Sequence, residues 1–75
     1  MRLLIIDDEV SLRRTLRLTL ESMKHQVAEA ASGAAALHLV SKEDYDLILV
    51  DLKLGRESGL DVLSQLLQSN PTAVS

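Results

Sequence analysis

Leu3-Leu4-Ile5-Ile6-Asp7-Asp8-Glu9 and its counterpart Asp46-Leu47-Ile48-Leu49-Val50-Asp51 decide how this chain folds. Each is a short, continuous apolar run ending in acid, the pattern of a strand buried on both faces of a parallel sheet. In open sheets of this kind, ligands sit outside the carboxyl ends of the strands. As neighbours, the two strands bring Asp7, Asp8 and Asp51 to one spot about 5–8 Å across. Carboxylates so crowded repel one another unless a cation neutralises them or some of them take up protons. The pattern therefore predicts a hard divalent metal and an acid available for chemistry.

Outward from these runs the pattern becomes helical. Leu12, Leu16 and Leu20 recur every four residues, with Thr15, Thr19 and Met23 beside them and Arg13, Arg14, Arg17 and Glu21 opposite. This predicts an amphipathic helix over 9–23 with its leucines on the core and its arginines in solvent; Leu18 lies off the stripe. Lys24-His25 reads as a turn and 26–30 as a short strand. Ser32 is placed to cap a helix over 34–40, which the polar run Ser41-Lys42-Glu43-Asp44 ends. The third strand, 46–50, leads into a loop over 52–57. Ser58, with Asp61 three residues on, reads as the N-cap of a third helix, with Leu60, Leu63, Leu66 and Leu67 on its apolar face. Asn70-Pro71 stops that helix, because proline cannot continue it. Residues 72–75 read as the opening of a fourth strand. Strands alternating with helices, βαβαβα plus a stub, imply an α/β fold with a parallel sheet and right-handed crossovers.

Composition narrows the function classes. The chain has 75 residues, a net charge of −3, no cysteine, and Tyr45 as its sole aromatic residue. The charge argues against nucleic acid or an anionic membrane as a direct partner, and one tyrosine offers no platform for stacking bases. Without cysteine there is neither a disulfide framework nor a thiolate metal site. No apolar stretch approaches the roughly 20 residues of a membrane span, and the apolar start runs straight into acids rather than forming a signal peptide. The expected location is the cytoplasm.

The acidic spot suits Mg²⁺, which prefers octahedral oxygen ligands and commonly uses one or two carboxylates with phosphate oxygens and water. The backbone carbonyl of Lys53, two residues past Asp51, is placed to add a neutral ligand. An ion there would draw in a phosphoryl group, and aspartate can serve as its nucleophile. Asp51 is the candidate acceptor, isolated on its strand while Asp7 and Asp8 form a metal-holding pair. The plain alternative for 7–9 is a set of acids at a helix start, where the helix dipole favours them. Asp51, not needed there for folding, weighs against it. No phosphate-cradling glycine motif occurs, and His25 and His38 lack ligand-spaced partners.

Together, Ile5-Ile6-Asp7-Asp8-Glu9, Tyr45-Asp46-Leu47-Ile48-Leu49-Val50-Asp51-Leu52-Lys53-Leu54 and Ser58-Gly59-Leu60-Asp61-Val62-Leu63 resemble the receiver domain of bacterial two-component response regulators. The resemblance covers almost the whole chain, in order. It implies a flavodoxin-like (CheY-like) fold with strand order 2-1-3-4-5, of which residues 1–75 would be the N-terminal part, about three of five βα units. It implies that Asp51 takes a phosphoryl group from a histidine kinase or phosphotransfer protein. It also implies that Asp7 and Asp8 hold Mg²⁺ with Asp51 and the Lys53 carbonyl. Two departures stand out. Many receivers have proline where this chain has Gly55, and the family's switch hydroxyl, its lysine and its aromatic switch residue fall beyond Ser75.

On that reading the chain is a signalling module rather than an enzyme, and one that is truncated and without a normal readout. The third strand becomes an unpaired apolar edge, which tends to pair with another chain. A homo-oligomer, most simply a two-fold dimer, is expected. An alternative is a half-domain acting only as a structural or assembly unit. A Mg²⁺-dependent phosphatase or nuclease fits poorly: the former wants Asp-x-Asp after its first strand, and the latter an acid where Lys53 stands.

Overall fold

The computed structural model describes residues 1–51, 53–54 and 57–69. Strand β1 (Arg2–Ile6) leads through helix α1 (Val10–Ser22) to β2 (Gln26–Ala30), and α2 (Gly33–Val40) leads to β3 (Leu47–Val50). Two short strands, β4 (Lys53–Leu54) and β5 (Glu57–Ser58), precede α3 (Gly59–Ser69). The main sheet has the order β2-β1-β3, parallel throughout. This is the α/β, flavodoxin-like arrangement expected from the sequence, as far as three strands of it.

The central place of β1 explains its unbroken apolar run. Successive strand residues face opposite sides of a sheet, and here both sides are covered: Leu3, Leu4, Ile5 and Ile6 are each no more than 2% exposed. Leu4 and Ile6 join Ala30, Ala36, Val40, Tyr45, Ile48, Val62 and Leu66 in one core beneath α2 and α3. Helix α1 covers the other face, over β2 and β1.

Two helices bury other residues than the periodicity predicts. In α1 the stripe of Leu12 and Leu16 is exposed, as is Met23, whereas Arg13 is buried and Arg17 half-buried. The Glu29 carboxylate, on β2 beneath the helix, pairs with Arg13, Arg17 and Arg14. Arg13 and Arg17 lie over β2, and Arg14 stays exposed. Leu12 and Leu16 border the sheet beside Leu49 and Val50, where nothing among the described residues covers them. In α3 the buried positions are Gly59, Val62 and Leu66, with Leu63 partly buried, while Leu60 and Leu67 are exposed. A helix packed against both α2 and the sheet aims one stripe at their junction, here the i, i+3, i+7 set beginning at Gly59.

The local signals at Ser32 and at Lys24-His25 hold in the structure. Ser32 caps α2, its hydroxyl accepting from the Ala35 amide at 3.2 Å. The turn at Lys24-His25 closes α1 by a Schellman motif. His25 N–H donates to the Leu20 carbonyl at 3.2 Å and Lys24 N–H to that of Glu21 at 2.9 Å. Lys24 takes the left-handed conformation (φ 70°) that this motif requires. The segment read as a loop over 52–57 instead contains β4 and β5, paired antiparallel with Lys53 opposite Ser58 and Leu54 opposite Glu57. Ser58, expected to cap the third helix, is the last residue of β5 and directly precedes α3. Leu52, Gly55, Arg56, the Asn70-Pro71 stop and the expected strand at 72–75 lie outside the described residues.

Candidate metal centre

The backbone ladder assembles the acids. Past the end of β1, Asp7 N–H donates to the Ala30 carbonyl of β2 at 3.1 Å; past the end of β3, Asp51 N–H donates to the Ile6 carbonyl at 2.9 Å. Ile6 and Val50 are register partners, so Asp7 and Asp51 leave the sheet side by side. One carboxylate oxygen from each of Asp7, Asp8 and Asp51 lies within 4.8 Å of the others. Among the described residues no other group of three or more His, Asp or Glu side chains is placed to share an ion.

The three acids differ in surroundings. Asp7 is 7% exposed, and its Oδ1 accepts the Glu9 N–H at 2.9 Å. Asp8 is exposed and Asp51 partly so. Glu9 in turn caps α1, its carboxylate accepting the Leu12 N–H at 2.9 Å. The helix therefore starts against the acids with its first turn anchored to them. Lys53, the expected carbonyl ligand, stands two residues beyond Asp51 at the start of β4. A shallow depression beside the cluster is lined by Asp7, Asp51, Leu12, Leu16, Leu49 and Val50. Another hollow, walled by Arg2, Lys24, Asp44 and Asp46, lies at the opposite, amino ends of the strands, away from where parallel sheets place their chemistry.

Behind the acids is a second charged group. Arg13 is 8% exposed; its Nε donates to Glu29 Oε1 at 2.7 Å and its Nη1 to the Asp7 carbonyl at 2.6 Å. Arg17 Nη1 meets Glu29 Oε2 at 2.7 Å, and the more exposed Arg14 approaches the same oxygen at 3.4 Å. Burial pushes the Glu29 carboxyl up, but the Arg13 hydrogen bond and the charges of Arg17, Arg14 and Arg13 outweigh it, holding it below the usual carboxylate range.

The geometry thus brings together Asp7, Asp8 and Asp51 as the sequence led us to expect, and leaves His25 and His38 apart from them. His25 sits near the terminal amino group, 3.4 Å from it, and His38 is exposed. Sequence reasoning missed Glu9 as a cap and Arg13 and Glu29 as partners of the site. One signal for the latter was available: an acid in the middle of a strand, following a helix with arginines at 13, 14 and 17. Hard carboxylate oxygens grouped at this spacing fit an ion such as Mg²⁺, which needs few protein ligands. No helix among the described residues is long and apolar enough to cross a membrane.

Comparison with known proteins agrees with this geometry. The response regulator receiver domain family matches residues 3–74. The alginate biosynthesis transcriptional regulatory protein AlgB of Pseudomonas putida is 45% identical over 65 residues, covering 87% of this chain and 14% of its own length. The chain thus spans about one seventh of that relative. A response regulator from Burkholderia pseudomallei, solved with a phosphorylated aspartic acid, a calcium ion and citrate, superposes with a TM-score of 0.91 at 36% identity. The match takes in 96% of this chain and 42% of that one. The regulator TrrA of Thermotoga maritima, solved with Mg²⁺ and BeF, gives 0.86 at 29% identity, over 96% of this chain and 63% of that one.

Proposed function

Because the chain belongs to the response regulator receiver domain family, we propose that Asp51 accepts a phosphoryl group from a histidine kinase or phosphotransfer protein. Mg²⁺ would be held by Asp7, Asp8, Asp51 and the Lys53 carbonyl. The observation that carries this reading is the convergence of the three carboxylates within 4.8 Å at the carboxyl ends of β1 and β3. The phosphorylated aspartate of the Burkholderia relative and the Mg²⁺ of the Thermotoga relative support it by likeness.

In the proposed step a carboxylate oxygen of Asp51 attacks phosphorus as the bond to the donor nitrogen breaks, and the electron pair leaves with that nitrogen. Asp51 is fit for this because its backbone is fixed to β1 while its side chain is partly open to solvent. Asp7 and Asp8 keep their carboxylates beside it. Bound Mg²⁺ would supply charge neutralisation for the phosphoryl oxygens. The setting is the cytoplasm.

Incubation with acetyl phosphate and Mg²⁺, followed by intact mass spectrometry, tests the reading. A hydroxylamine-labile phosphoryl adduct on the parent chain that is lost in Asp51→Asn is the expected result; an adduct retained in Asp51→Asn overturns it.

A second reading concerns assembly. Among the described residues β3 pairs only with β1, leaving its outer edge without a strand. We propose that a second copy adds to this edge by backbone pairing. Sedimentation equilibrium at micromolar concentration should then report a dimer, and a monomer throughout that range contradicts it.

A further inference from the structure

The peptide group joining Asp7 to Asp8 is planar, so its orientation sets where both acids project. Its carbonyl lies beyond the last strand pairing of β1. That ladder ends with the Ile6 carbonyl, which takes the Asp51 amide. What holds the Asp7 carbonyl is the buried guanidinium of Arg13, at 2.6 Å. The same guanidinium is fastened at its other side to Glu29 at 2.7 Å. Arginine is suited to this because its donors form a rigid planar fork and stay charged.

Burying a guanidinium is costly unless it is paired and hydrogen-bonded. A leucine would fill the same space beneath α1 and leave the carbonyl without this donor. Glu29 makes the burial tolerable, and it also offsets positive charge close to a place meant for a cation. We propose that Arg13 is a positioning residue for the cation site, fixing the Asp7–Asp8 peptide by tying it to α1 and, through Glu29, to β2. This rests on the reading of Asp7, Asp8 and Asp51 as a Mg²⁺ site.

Arg17 provides the control. It pairs with the same Glu29 at 2.7 Å from the same helix, and the contacts described for it go to Glu29 and Glu21 rather than to Asp7. Removing either arginine weakens the attachment of α1 to β2, but only removing Arg13 frees the Asp7 carbonyl. The full chain, Arg13→Met, Arg13→Lys and Arg17→Met are titrated with MgCl₂ by calorimetry under conditions where circular dichroism shows each folded. Outer partners of metal ligands typically influence affinity by about 10–100-fold. Arg13→Met should therefore bind Mg²⁺ about tenfold more weakly, and Arg17→Met within about twofold of the parent. Arg13→Lys, whose single ammonium reaches one recipient well but not both in fixed geometry, should fall between them. It also serves as the folded probe should Arg13→Met not fold. Equal Mg²⁺ affinity in the parent and the Arg13 variants, or equal losses in the Arg13 and Arg17 variants, overturns the positioning role and leaves the site reading intact. A parent chain that does not bind Mg²⁺ at all overturns both.

Discussion

The backbone amide of Asp51 donates a 2.9 Å hydrogen bond to the carbonyl of Ile6, the residue before Asp7. The separation of the acids is therefore set by the sheet, and their repulsion is present whether or not a cation is bound. At about 4.8 Å in a water-like dielectric, each carboxylate pair costs about 1 kcal/mol. Asp8→Asn removes charge at the exposed member of the cluster. Asp8 takes part in two of these pairs, so the change should stabilise the metal-free protein by about 1–2 kcal/mol and abolish stabilisation by Mg²⁺. Urea unfolding in EDTA and in MgCl₂ checks both, and a variant less stable than the parent in EDTA contradicts the argument.

Leu66 and Leu60 lie on the same helix with opposite consequences. Leu66 is wholly buried in the core, whereas Leu60 is 65% exposed. Leu66→Ala should cost about 2–5 kcal/mol, the range for leaving a cavity in a packed core. Leu60→Ala should change stability by less than about 0.5 kcal/mol. Chemical unfolding of the two variants compares them directly, and similar losses would show that the helix is not oriented as described.

Lys24 holds a left-handed conformation at the end of α1. A residue with a Cβ is strained there by about 1 kcal/mol, and glycine is not. Lys24→Gly should relieve that strain at the expense of a more flexible unfolded chain, for a net gain of at most about 0.5 kcal/mol. A raised midpoint of urea unfolding with an unchanged slope is the expected result.

Glu29 links stability to acid. Its carboxyl is held below its ordinary value of 4.5, against the opposing effect of burial, by the Arg13 hydrogen bond and the Arg17, Arg14 and Arg13 charges. A depressed folded-state value means that its contribution is fully present above about pH 4.5 and is lost as pH falls through the folded value. Glu29→Gln should be less stable than the parent at pH 7, by about 2 kcal/mol for weakened charged hydrogen bonds. The gap should narrow below pH 4.5. Unfolding midpoints of both proteins at pH 7, 5 and 3 test the sign; a gap that widens in acid contradicts it.

Legibility in the sequence followed the strength of the local signals. The run Leu3 to Ile6 matched a strand covered on both sides, and the acids after it and after Val50 would meet at one edge if the two strands were neighbours. The parallel sheet was therefore readable from the chain, whereas its order, which makes the two acidic strands neighbours and so assembles the three-acid cluster, came from the resemblance to receiver domains. The faces of α1 and α3 were not readable, because periodicity names a stripe but not the surface it meets. Leucines at 12 and 16 made the more apolar stripe of α1, yet the buried member of that helix is Arg13, paired with a carboxylate on β2. The Arg13 contact with the Asp7 carbonyl was hidden for a related reason: it depends on a backbone oxygen, which every residue carries.

The central position of β1 also bears on the order in which the molecule is built. Pairing β1 with β2 joins Arg2 to Gln26, whereas pairing it with β3 joins Leu3 to Leu47. The entropic cost of closing a loop rises with its length, so the β1–α1–β2 unit is the cheaper one to form first. On that route Asp7 and Asp8 are in place before Asp51 arrives, and the final docking of β3 must work against their charge. A site arranged for phosphoryl chemistry thus becomes an electrostatic barrier late in folding, one that a divalent cation in the refolding medium is expected to lower.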